Sequence, residues 1–313
     1  MDPTTAPVPL RTYAAGVADQ PIFGRVCMYT VNETAIPHDV VTAELDAVGL
    51  GAYAPQRRPA DVDVFRRVTK NTDGRRIDLG DGTYANVLIR DVSNDAEKVL
   101  RRLVIEVVDA NDETLDYSEA YDLTFNKTSN GFTYMPLMFP TPPLADEVVL
   151  ALRTDYLAKQ GTLDGNGIRL IIKTALAAHN AVTIRKSGGV FFAPAVEDRV
   201  IDALHKFADN HDEITLWSFP LVAEANGNQA NMLSEAFTDE AFTECQEMLG
   251  KLAAGVSDKV LAGMLGRFDR LNSQLGVYQE LLEDRLDLAT VHIESLRTAL
   301  ANASTNLHVA EAA

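Results

Sequence analysis

Two short runs in this chain have the composition of ligand loops, and one cluster has the composition of a metal site. Asp164-Gly165-Asn166-Gly167-Ile168 looks like the middle of a calcium loop. Setting Gly167 at the loop's sixth position puts Thr162 at the first and Lys173 at the twelfth. The twelfth position needs a bidentate carboxylate, and a cation there repels calcium. The run is expected to be a turn that starts the following helix. Lys186-Ser187-Gly188-Gly189 carries phosphate-loop residues in the wrong order, since such a loop ends in Gly-Lys-Ser/Thr and opens a helix. Here Lys-Ser precedes the glycines and strand-like Val190-Phe191-Phe192 follows. A hairpin turn or a close backbone approach is expected.

His205, Asp209, His211, Asp212 and Glu213 fall within nine residues. His205 and Asp209 share a helix face at i, i+4. The spacing matches neither His-Glu-x-x-His nor a facial triad, so a charged, solvated helix terminus is expected. His38, His179, His292 and His308 are scattered, and no Gly-x-Ser-x-Gly elbow occurs. Asp109, Asp112 and Glu113 read as turn residues. No catalytic residue, metal or cofactor is assigned.

The 313 residues leave room for two domains, or one with an appendage. A net charge of −17 disfavours non-specific binding to phosphate backbones. No apolar run is long enough to span a bilayer. Two distant cysteines, Cys27 and Cys245, and an N-terminus without a secretion pattern point to a reducing cytoplasm. Charge is uneven: between Arg57 and Arg102, eleven Lys/Arg face eight Asp/Glu. Arg57, Arg58, Arg66, Arg67, Arg75 and Arg76, with aromatics such as Tyr84, define the alternative reading of a nucleic-acid-linked accessory protein.

Residues 1–20 form a proline-bearing lead-in by composition. A strand is expected at 26–31, then a helix from Pro37 closed by Gly49 and Gly51, and a short helix at 61–69. From 75 to 139 the period becomes two. Strands at 84–91, 101–108, 114–125 and 131–138 with short turns argue for an antiparallel sheet. Pro140, Pro142 and Pro143 mark a boundary. Helices are expected at 144–160, 167–185, 196–209, 231–253 and 258–303, and a strand at 214–223. The fold class is α+β, with a β-rich domain at 21–140, a mixed α/β domain at 144–253 and a helical assembly element at 258–307.

That last element carries an apolar seam. Leu261, Met264, Phe268, Leu271, Leu275, Tyr278 and Leu282 alternate at steps of three and four. After a stutter the pattern resumes at Leu286, Ala289, Ile293, Leu296, Leu300, Ala303 and Leu307. Leu265 and Leu281 widen the stripe, and Gly263, Gly266 and Gly276 lie on its back. A helical hairpin or small bundle, inside one chain or across a dimer, is favoured over an extended coiled-coil arm.

Gly167-Ile168-Arg169, the run Arg185-Lys186-Ser187-Gly188-Gly189-Val190-Phe191-Phe192-Ala193-Pro194, and Leu216-Trp217-Ser218-Phe219-Pro220-Leu221 carry a resemblance. With the acidic helices after Ala236, the segment 167–252 resembles a family of uncharacterised proteins encoded by actinobacteriophages and related microbial genomes. The resemblance implies a phage or phage-like origin and no established activity. The expected function is a non-enzymatic cytoplasmic interaction or assembly protein. It would contact a protein partner, or itself, through Phe268, Leu271, Leu275, Tyr278 and Leu282. An enzyme with a site near Lys186–Phe192 and His205–Glu213 is a third reading.

Overall fold

The computed structural model describes residues 22–70, 74–185, 189–222 and 227–311, with backbone alone at 75, 283–284 and 306–311. The expected lead-in over 1–20 lies outside the described residues. By contact the chain divides into two units. One takes Met1–Glu33, Ala43–Ala54 and Gly167–Ala313; the other takes Thr34–Thr42 and Pro55–Asn166.

In the bundle unit, β1 (Ile22–Val31) runs between β10 (Val190–Pro194) and β11 (Ile214–Val222), and β9 (Val182–Arg185) lies beyond β10. All three pairings are antiparallel. Alternation along β1 sends Arg25 to one face and Val26 to the other. On the first face Arg25 pairs with Asp198 and Asp202 of α5 (Asp198–Ala208), both at 3.0 Å. On the second, Val26, Phe192 and Val182 join the core of three long helices. Gly24 is required at its place in β1: a Cβ there would sit 2.1 Å from the Ala193 carbonyl oxygen.

Those helices are α6 (Asn228–Ala254), α7 (Asp258–Leu282) and α8 (Asp287–Glu311). Gly255, at φ 85°, ends α6, and α7 starts directly after Ser257, as the sequence predicts. The helix expected over 258–303 is instead two helices. A 3-10 turn, Glu283–Leu286, reverses the chain where the heptad stutters. Two side-chain bonds, Arg297 to Asn272 and Gln279 to Thr290, show that α7 and α8 run antiparallel. The result is a bundle inside one chain, with α6 covering the outer side of β9.

A second correction concerns the helix expected over 167–185. The helix α4 (Gly165–Ala178) stops seven residues short of that. Asn180 takes a φ of 58°, and the Ala181 N–H returns to the Leu176 carbonyl at 3.0 Å. This is a left-handed helix end, and Val182 then enters β9.

In the meander unit, β3 (Gly74–Asp78), β4 (Tyr84–Asn94), β5 (Lys98–Val108), β6 (Thr114–Asn126) and β7 (Gly131–Pro136) pair in sequence order, all antiparallel. The expected strands are all present. Aspartates and an asparagine make the turns. Asp95 Oδ1 accepts from the N–H groups of Glu97 and Lys98, and Asp109 Oδ1 accepts from those of Asn111 and Glu113. Asn126 does the same for Thr128 and Ser129. These are side-chain turns of the kind Asp and Asn favour.

One face of the meander packs on α2 (Asp61–Lys70) and α3 (Pro143–Lys159). Phe65 of α2 sits 5.7 Å from Phe125 and 5.2 Å from Phe132, centroid to centroid. Pro143 begins α3, where its missing N–H costs nothing. Ala145, Val149, Leu152 and Tyr156 then pack on the sheet that precedes the prolines. By contact this unit therefore runs through the proline cluster. A short pairing of β2 (Ile36–Pro37) with β8 (Thr162–Leu163) completes it.

Candidate functional site

The five seam residues face inward. Phe268, Leu271, Leu275, Tyr278 and Leu282 are all buried in the core that α7 shares with α6, α8 and the sheet. Tyr278 stacks on Phe237 with centroids 4.9 Å apart, and its hydroxyl donates to the Asn180 carbonyl at 3.0 Å. Buried Gln274 donates to the Ala181 carbonyl at 3.4 Å. The polar members of α7 thus close the backbone groups of the turn that enters β9. Their partner is this same chain.

Part of the basic stretch is matched in place. Arg66 pairs with Asp63 at 2.9 Å, and Arg67 pairs with Asp164. Arg76 pairs with Asp112 and lies over the Tyr84 ring, 4.4 Å from its centroid. Arg102 holds Asp122 and Glu119. Arg101 reaches Asp91 and then caps the end of α2 through the Arg66 carbonyl and the Thr69 hydroxyl. Arg57 and Arg58 are exposed. The Arg75 side chain lies outside the described residues.

The motif residues separate into local roles. Thr162 lies in β8 and Gly165 opens α4, so Asp164 occupies a turn, as expected. Lys186, Ser187 and Gly188 lie outside the described residues, between two strands that pair antiparallel. His205 contacts the Ser218 hydroxyl at 2.8 Å, whereas His211 turns to Glu44 at 2.6 Å. No group of three or more His, Cys, Asp and Glu able to hold a metal occurs among the described residues. Burial pushes the Cys27 thiol up to about 12 and the Cys245 thiol up to about 11, far from a reactive thiolate.

Folding assembles one polar chain that no sequence spacing announces. The His179 imidazole sits between the Tyr53 hydroxyl, 2.9 Å from Nε2, and the Glu197 carboxylate, 2.8 Å from Nδ1. Asn180 donates to the other Glu197 oxygen at 2.8 Å. Carboxylate, imidazole and hydroxyl in line can draw a proton from the hydroxyl. Burial and the Glu197 charge push the Tyr53 phenol up, which keeps its proton on oxygen. The chain therefore ties the turn at 51–53 to the end of α4.

Among the described residues, the meander unit supplies the longest exposed apolar run. Pairing with β7 stops at Pro136, and one more bond, from the Leu137 N–H to the Ala120 carbonyl at 2.9 Å, carries the chain along β6. Met135 is then 59 % exposed and Phe139 85 %, with Leu137 and Met138 exposed between them. The first half of β6 adds Leu115 at 58 % and Tyr117 at 50 %. Single exposed apolar residues are ordinary on a protein surface, but here four fall within the five positions 135–139. The sequence reading missed it because the run has the composition of a buried strand.

No helix among the described residues is long and apolar enough to cross a membrane. Comparison with curated proteins gives no match, and comparison with solved structures gives none either. One family model matches residues 22–312, well beyond the 167–252 segment that carried the resemblance, and its description is "Family of unknown function (DUF6744)". With nearly the whole chain matched, this protein belongs to that family of unknown function.

Proposed function

We propose that this chain is a cytoplasmic interaction protein, phage-encoded as the resemblance implies, which works by holding a protein partner. The observation that carries the reading is the exposed run from Met135 to Phe139, with Phe139 85 % exposed. Its surface is available, whereas the apolar seam of α7 is covered by α6, α8 and the sheet. Two buried free cysteines fit a reducing compartment. A comparison of the wild-type chain with the double variant Met135→Lys, Phe139→Asp, both used as bait in extract of the native host, tests it. A partner held by the wild type and lost by a variant with unchanged melting temperature supports the reading. Full retention of every partner by the variant overturns it.

A further inference from the structure

The exposed run lies beside an open strand edge. β6 pairs with β5 from Thr114 to Asn126, with register shifts at Leu115 and Ala120, but β7 pairs only with Tyr121–Asn126. Beyond the Leu137–Ala120 bond the chain leaves the sheet. No strand among the described residues pairs with the outer edge of 114–119. Alternate N–H and C=O groups of such an edge point outward and can template another strand. Leu115 and Tyr117 are half-exposed there, and Met138 and Phe139 depart from its end. Among the other outer strands of the two larger sheets, β11 carries Pro220, which has no N–H to offer, and β3 is only five residues long. The β6 segment Thr114-Leu115-Asp116-Tyr117-Ser118-Glu119 contains no proline.

Charge selects the occupant. Glu113, Asp116 and Glu119 line the edge; Asp116 accepts the Ser118 hydroxyl at 2.8 Å, and Glu119 is met by Arg102 at 2.7 Å. A second copy would bring the same acids against them, in a chain of net charge −17. We propose, resting on the interaction reading above, that the 114–119 edge of β6 takes an extended segment of a partner protein as an added strand. That segment is apolar at alternate positions and carries Lys or Arg. Main-chain hydrogen bonds would give the affinity, and the apolar and acidic side chains the selectivity.

The test uses the full chain and a capped heptapeptide alternating Val and Lys, followed by fluorescence anisotropy at low salt. Two further peptides serve as controls: one with alternate amides N-methylated, the other with Glu in place of Lys. The Lys peptide is expected to bind at least about tenfold more tightly than either control. Asp116→Lys, an exposed change outside the core, should weaken the Lys peptide and favour the Glu peptide. Equal binding of the N-methylated peptide, or no binding of the Lys peptide at about 1 mM, overturns the proposal. So does a doubled mass of the chain alone that Asp116→Lys abolishes, because a second copy then fills the edge. If partner capture is lost in Met135→Lys, Phe139→Asp while N-methylation leaves peptide binding unchanged, strand addition fails and the interaction reading survives.

Discussion

The Glu240 carboxylate of α6 accepts the backbone N–H of Thr183 in β9 at 2.9 Å, so a helix side chain closes the edge of a sheet. Burial pushes this carboxyl up; the Thr183 bonds and Arg270 oppose the shift, and Glu244 adds to it. The folded value therefore lies above the unfolded one. Between the two the folded chain holds the proton more firmly, and stability falls as pH rises through that window. Glu240→Gln keeps an acceptor for Thr183 and removes the buried charge. Its melting temperature should vary less than the wild type's as pH rises from the ordinary carboxylate range to neutrality. Glu240→Ala instead strands the Thr183 N–H and should cost about 1 kcal/mol in urea unfolding. An unchanged pH slope in the Gln variant would show that Glu240 is solvated in solution.

Disturbing the seam should unfold the bundle and leave nothing to dissociate. Leu271 is buried in the α7 core, so Leu271→Asp places a carboxylate among Phe, Leu and Tyr side chains. The expected loss is more than about 3 kcal/mol, read as a lowered urea midpoint and lost helical signal. Leu265 lies on the exposed flank, and Leu265→Asp should change stability by less than about 0.5 kcal/mol. A folded, monomeric Leu271→Asp variant of a normally dimeric protein would return the seam to the role of an interface.

The sequence makes the hairpins legible because period two, short turns holding Asp and Asn, and β-branched strands agree with each other from 84 to 136. It also shows the long helices, since their apolar spacing is local. Helix ends are less visible. Ala177-Ala178-His179-Asn180-Ala181-Val182 continues a helical composition, and only the sheet that receives Val182 decides otherwise. The corner at 283–286 shows in the sequence only as a skipped heptad position. The acids that meet Arg67, Arg76 and Arg102, namely Asp164, Asp112, Glu119 and Asp122, lie outside the 57–102 window, so the local surplus of basic residues does not show how far those charges are paired. Tyr53 and His179 meet across 126 positions, a separation at which spacing carries no signal.

The back of α7 offers a third measurement. Gly263, Gly266 and Gly276 lie in helical backbone, and a Cβ at any of them would meet nothing within 4 Å. Each Gly→Ala change should therefore stabilise by about 0.5–1 kcal/mol through the helix propensity difference. Gly24→Ala should do the reverse, costing about 1–3 kcal/mol, because its Cβ meets the Ala193 carbonyl. Thermal melts of the four variants check both signs. A loss at all three α7 positions would mean that this helix face is covered in solution.

Acid should loosen the meander through its turns. Asp81 accepts first the Thr83 hydroxyl and then the Thr83 N–H, while Asp95 and Asp109 accept backbone N–H groups within four residues, and those bonds hold the three carboxyls below the ordinary value of 3.8. A group lowered in the folded state contributes stability that is present above its unfolded value and lost as pH falls through its folded one. The urea midpoint of the wild type should therefore begin to drop below about pH 5 and keep falling beneath 3.8, toward the folded values. Replacing the three aspartates by asparagine keeps the side-chain oxygen that accepts the turn bonds and removes the titrating group, so the drop should shrink. Asp81 and Asp95 are exposed and Asp109 is partly so, and salt should weaken the charge part of the effect while leaving the hydrogen bonds. An equal acid loss in the triple variant would assign it to other carboxylates. Asp146, lowered by the Tyr121 hydroxyl at 2.6 Å, would then be the next to replace.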